Sequence, residues 1–166
     1  MQARTVTIVS VAMIATLSSV FLVAKSMANR AAPPAFEDGI VRVKADYPLP
    51  EAIDRMKQDI AAKGIKFFDQ IDQSQLAAGA DIQLRPSTLL IFGNPPLGTQ
   101  FITSNPNAGL DWPVRLLVFE NEKGEVFAAY TDFGWIARRH GIKDREAQFK
   151  MASGVVASIT SSVTAK

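Results

Sequence analysis

The chain has no cysteine, one histidine, two tryptophans and two tyrosines in 166 residues. Without cysteine there are no disulfides, no thiol nucleophile and no thiolate metal ligand, so the fold stands on packing alone. A lone histidine with no Asp/Glu run at calcium-loop spacing leaves no metal motif. Neither a Gly-x-Ser-x-Gly elbow nor a His-Glu-x-x-His helix is present. No metal or cofactor is therefore assigned.

Surplus charge is also missing. Of 18 basic residues, Arg4 and Lys25 flank an N-terminal apolar run, and the remaining 16 meet 16 acidic residues. From Ala28 onward the chain is neutral, which argues against an electrostatic nucleic-acid binder. Arg138, Arg139, His140, Lys143 and Arg145 cluster, but Asp144 interrupts them, as on a solvated helix end.

The apolar run itself, Val6 to Ala24, carries no charge and is long enough to span a bilayer. Two readings stay open. Ser26-Met27-Ala28 supplies the small-x-small pattern of a cleavable leader, whereas the length of the run suits an uncleaved anchor. Either places the bulk of the chain outside the cytoplasmic membrane, in the periplasm, soluble or tethered to the inner membrane by residues 6–24. The expected organisation is a leader or anchor over 1–28, a Pro-bearing linker over 29–35 and one domain over 36–166.

Within that domain, Ile40–Lys44 alternates as a strand. Leu49, Ile53, Met56 and Ile60 then form a helical stripe that ends before Gly64. Strands follow at Ile65–Ile71, Thr88–Phe92, Val114–Glu120 and Glu125–Thr131. A short helical turn is expected from Gln73, and a helix from the Asn94-Pro95 cap to about Ser104. Asn107–Pro113 reads as a loop. Asp132 and Asp144 are expected to cap the last two helices. This order predicts an α+β domain with a mainly antiparallel sheet packed by helices.

The strands at Thr88 and Val114 are apolar on both faces apart from Arg115. Helices on one side leave the other face to a second subunit or to an apolar cavity. Of Leu117 and Phe119, one is expected to face the helices and the other a partner.

Candidate site residues gather between Ser87 and Ile142. The turn at Asn94 with Thr99 offers backbone N–H groups to an anion or carboxylate, or serves only as a capping turn. Tyr130 could donate to a ligand, Asp132 could orient His140 or cap a helix, and Asp111 is a second carboxylate in a turn. His140, followed by Gly141, is either an acid–base group or a helix-end cation. Asn94, Thr99, Tyr130, Asp132 and His140 are expected to form a polar mouth on an apolar pocket, with Asp111 as a further ligand-binding candidate.

The set Leu90-Ile91-Phe92-Gly93-Asn94-Pro95, Gly98-Thr99, Asn105-Pro106, Gly109-Leu110-Asp111, Pro113, Gly124, Tyr130, Asp132 and Arg139-His140-Gly141 resembles the bacterial family known as domain of unknown function 302. The resemblance implies an α+β fold like that of the TATA-box-binding protein, in paired copies, with no settled activity. Trp112 and Phe133 depart from the pattern, where a smaller apolar residue and a proline are usual. The leading expectation is an exported, homodimeric domain that binds a small apolar or anionic ligand or a protein partner. The alternative is a periplasmic enzyme using His140 and Asp132 with Tyr130.

Overall fold

A computed structural model describes residues 38–165; the apolar run, the linker and Lys166 lie outside the described residues. The elements are β1 (Ile40–Lys44), α1 (Leu49–Ala62), β2 (Lys66–Asp72), α2 (Gln73–Ala78), β3 (Ser87–Gly93), α3 (Pro95–Ser104), a 3-10 helix (Pro106–Leu110), β4 (Val114–Glu120), β5 (Val126–Thr131), α4 (Phe133–Arg139) and α5 (Glu146–Ser161). The five strands form one sheet in the order β1-β5-β4-β3-β2, and every neighbouring pair is antiparallel. The α+β class with an antiparallel sheet is thus as the sequence predicts.

Helices cover one face. On it, Val41, Tyr130, Leu116, Leu90 and Val118 join the core with the α1 stripe Leu49, Ala52, Ile53, Met56 and Ile60. The long helix α5 adds Phe149, Ala152, Val156 and Ile159, and Phe149 stacks on Phe101 of α3 at 4.1 Å between ring centres. Alternation along the strands sends Ile71, Leu89, Leu117 and Ala129 to the opposite face, where they stand side by side across four strands. The longer helices leave this face uncovered; the short helix α2 reaches its end, where Ser87 Oγ donates to Gln73 Oε1 at 2.8 Å, and Phe119 and Phe127 stack there at 5.9 Å.

Three expectations are corrected. Leu117 and Phe119 share the open face, because residues two apart in a strand point the same way; Leu116 and Val118 are the ones buried under the helices. The stretch after Asn105 is a 3-10 helix rather than loop, begun by Pro106 and capped by Asn105 Oδ1 accepting from Asn107 N–H. Finally, α5 starts after Arg145 with no side-chain cap, since Asp144 is engaged elsewhere, accepting from Ser104 Oγ at 3.0 Å and Arg145 Nη1 at 2.7 Å.

Candidate functional site

The ends of β3 and β5 and the start of β4 meet at one edge of the sheet, because β4 runs antiparallel between the other two. Three chain segments leave that edge: the Asn94 turn into α3, the Asp111–Pro113 approach to β4, and the Asp132 turn into α4.

Asn94 caps α3 through Oδ1, which accepts from Leu97 N–H at 3.2 Å. Its carbonyl accepts from Leu97 and Gly98 N–H. Pro95 and Pro96 carry no N–H. The first turn of α3 therefore presents no free donor to an anion, contrary to the anion-holding expectation for this turn. Thr99 is exposed and donates its hydroxyl to Pro95 O within the same helix, so it makes no polar mouth.

Asp132 accepts from Trp135 N–H at 2.7 Å and so caps α4. Its carboxylate is spent there and does not orient His140. The 7-residue helix α4 folds back along the edge and returns His140 to a different carboxylate, Asp111, with Nε2 2.6 Å from Oδ2. Both side chains are nearly buried, at 5% and 3% exposure. Asp111 also accepts from Arg139 Nη1 at 3.1 Å and from Arg115 Nη2 at 3.3 Å. Asn105 Nδ2 donates to His140 O at 2.8 Å, which ties the far end of α4 to the 3-10 turn.

Tyr130 lies opposite Leu116 and Val41 in the sheet and is buried among core side chains. Burial, with the nearby Asp132 charge as the smaller cause, raises its phenol above the ordinary value of 10.0. It is a core residue with its hydroxyl kept protonated, and it lies outside the cavity described next.

That cavity measures about 250 Å³ and lies between the sheet edge, α3 and α5. Phe92, Phe101, Trp112 and Phe133 give it aromatic walls; Leu97, Val155 and Met151 close the helix side. Of the six expected site residues only Asn94 lines it. Asp111 lines a second, small hollow with Arg115 and Thr131, and Val114 and Phe133 border both. The structure brings Asp111 to His140 and Asn94 to the cavity; Thr99, Tyr130 and Asp132 join neither arrangement.

Trp112 dominates the cavity's form. A Cβ built on Gly98 would sit 1.7 Å from the indole Nε1 and 2.2 Å from both Cδ1 and Cε2, so the ring lies face-on over the glycine. Gly93 is close behind, with Nε1 3.1 Å from its built Cβ. Phe68 meets the same indole edge-on at 6.1 Å. Gly98 and Trp112 stand 14 residues apart in the chain. Their pairing depends on the β3–α3 turn and the approach to β4 coming together, which no local pattern encodes. Among the described residues no group of three His, Asp or Glu side chains is placed to hold a metal ion.

A two-layer α+β domain, one sheet face helix-covered and the other open, is the class this fold defines. The chain belongs to the family described as Domain of unknown function DUF302, whose family model matches residues 41–159. Its fold is similar to that in a crystal structure of an uncharacterized conserved DUF302 protein from Bacillus stearothermophilus. That likeness has a TM-score of 0.69 at 13% identity, over 75% of this chain and 98% of that one. Curated relatives include fluoride-specific ion channel FluC 1 of Brucella suis biovar 1 (strain 1330), 33% identical over 106 residues, 64% of this chain and 42% of the relative. The protein of that name from Brucella abortus biovar 1 (strain 9-941) is also 33% identical, over 64% of this chain and 39% of its own length. The match thus spans about two-fifths of these relatives.

Proposed function

We propose that this domain is a non-enzymatic binding module that takes a small, mostly apolar molecule into the Trp112 cavity. The observation that carries the reading is the cavity itself, about 250 Å³ and lined by apolar and aromatic side chains with few polar groups. That is the usual make-up of a small-molecule site. An engineered apolar cavity of about 150 Å³ already admits benzene, so this volume suffices for a larger body.

The acid–base alternative finds no support in the geometry. Asp132 caps its own helix, Tyr130 is packed in the core, and His140 is held on Asp111 with almost no exposure. The test of the binding reading is a titration with the fluorescent reporter N-phenyl-1-naphthylamine. A saturable signal with one site per chain, lost in Val155→Phe, is expected. No saturable signal in the native protein refutes the reading.

Export and pairing belong to the same proposal. The Val6–Ala24 run supports delivery across the inner membrane, as a cleaved leader or a tether. Relatives that carry a matching stretch bear an ion channel's name, which supports a place at a membrane. Channel activity is not carried over, and among the described residues no helix is long and apolar enough to cross a membrane. Cell fractionation tests delivery, and full-length chain in the cytosolic fraction would refute it.

A second copy is the proposed cover of the open sheet face, in keeping with the TATA-box-binding-protein-like arrangement that the resemblance implies. Leu89, Leu117, Phe119 and Phe127 supply its apolar centre, Arg42 stands toward the β1 edge and Asp69 toward the β2 edge. A twofold axis parallel to the strands sets β1 of one copy over β2 of the other, and so places Arg42, whose guanidinium already holds Asp38 at 2.7 Å, near the edge that carries Asp69.

A further inference from the structure

Resting on the binding reading above, we infer that the cavity's ligand is an uncharged molecule of roughly two fused rings' bulk that carries a hydrogen-bond acceptor, such as a ketone or ester carbonyl. Three side chains on the wall can form strong hydrogen bonds: Lys63, Asn94 and Trp112. Lys63, just past the end of α1, is paired, its Nζ lying 2.8 Å from Asp59 Oδ2. The cavity therefore presents no uncompensated charge. A cationic ligand would lose its hydration with no acceptor or counter-charge to replace it, and an anionic one would recover only part of its hydration from neutral donors.

The two remaining groups each bring an N–H donor. Asn94 Oδ1 is committed to Leu97 N–H, which leaves Nδ2 as the free end of that amide. The Trp112 indole donates only, and its Nε1 lies over Gly98 and beside Gly93 at the cavity wall. Their N–H groups favour an acceptor on the ligand over a ligand hydroxyl proton or ammonium. Phe92, Phe101, Phe133 and Trp112 suit a flat apolar body. The volume, about 250 Å³ against about 150 Å³ for a benzene-sized cavity, sets its bulk.

The experiment uses three probes of nearly equal size, 2-acetylnaphthalene, 2-ethylnaphthalene and 2-naphthoate, titrated calorimetrically into the protein. Fluorescence quenching of Trp112 in a Trp135→Phe background gives a second readout. The ketone is expected to bind tightest, at least about tenfold over the naphthoate and several-fold over the ethyl compound. Its advantage over 2-ethylnaphthalene should shrink in Trp112→Phe and in Asn94→Ser, which keeps a capping oxygen but removes Nδ2. Circular dichroism shows that each variant is folded, and either one alone suffices. Naphthoate binding as tightly as the ketone overturns the uncharged-ligand inference. An ethyl compound equal to the ketone, or an advantage unchanged in both variants, overturns the acceptor. If none of the three probes binds, the binding reading itself fails.

Discussion

His140 Nε2 stands 2.6 Å from Asp111 Oδ2, and the two side chains close the far end of α4 onto the approach to β4. Trp112 follows Asp111 directly, so the pair holds the segment that walls the cavity. Arg139 and Arg115 reach the same carboxylate from solvent, at 44% and 52% exposure. Burial decides the ranking. Removing the carboxylate in Asp111→Ala strands a buried imidazole N–H and should cost about 2–3 kcal/mol. Arg115→Ala and Arg139→Ala should each cost less than about 1 kcal/mol, because an exposed ion pair contributes little. Urea unfolding measures both, and an arginine variant that costs more than Asp111→Ala would contradict the ranking.

Gly98 and Trp112 should be energetically coupled. Alanine in a helix normally gains about 1 kcal/mol over glycine. At Gly98 the added methyl would lie 1.7 Å from the indole, and displacing that ring should cost about 1–3 kcal/mol, enough to outweigh the gain. Gly154 in α5 has nothing within 4 Å of a built Cβ, so Gly154→Ala should stabilise by up to about 1 kcal/mol. Thermal unfolding of the two variants should move in opposite directions. Combining Gly98→Ala with Trp112→Leu should recover part of the loss, which a double-mutant cycle reads directly.

The two faces of β4 should respond differently to charge. Leu116 and Val118 are fully buried under the helices, so an aspartate at either should prevent folding, as a buried unpaired charge costs several kcal/mol. Leu117→Asp and Phe119→Asp, on the open face, should leave the subunit folded and turn the proposed dimer into monomers. Circular dichroism with light scattering separates the outcomes. A native protein that is monomeric at millimolar concentration would remove the case for pairing.

Tyr130 should make stability fall at alkaline pH. Its folded pKa lies above the ordinary phenol value of 10.0, first because of burial and then because of the Asp132 charge. A group whose pKa is raised by folding contributes its stabilisation fully below the unfolded value. That contribution is lost as pH rises from there through the folded value. The loss should therefore begin near pH 10 and be absent at neutrality. In a Tyr47→Phe background, the 295 nm phenolate absorbance should rise later than for a free tyrosine. A titration at the free-tyrosine pH would contradict the burial.

Local chemistry determined much of this protein. The alternation of Ile40–Lys44, the stripe from Leu49 to Ile60 ended by Gly64, and the caps at Asn94 and Asp132 are short-range patterns, and they foretold those elements within a residue or so. They also gave the α+β class, since the hairpin and mixed connections follow from element order, whereas the sheet order, with β1 beside β5, did not. The resemblance carried by the Leu90–Gly141 motifs led to the family. Partner choice was not legible in the same way. His140 is 8 residues from Asp132 and 29 from Asp111, yet it bonds to Asp111, because α4 turns back and Asp132 faces its own first turn. Asp144 is likewise drawn from its expected cap by Ser104, 40 residues earlier. The cavity needed tertiary structure most of all. Its wall combines β3, α3, α5 and a tryptophan lying on Gly98, and the space between packed elements depends on side-chain volumes meeting across the fold, which no window of sequence contains.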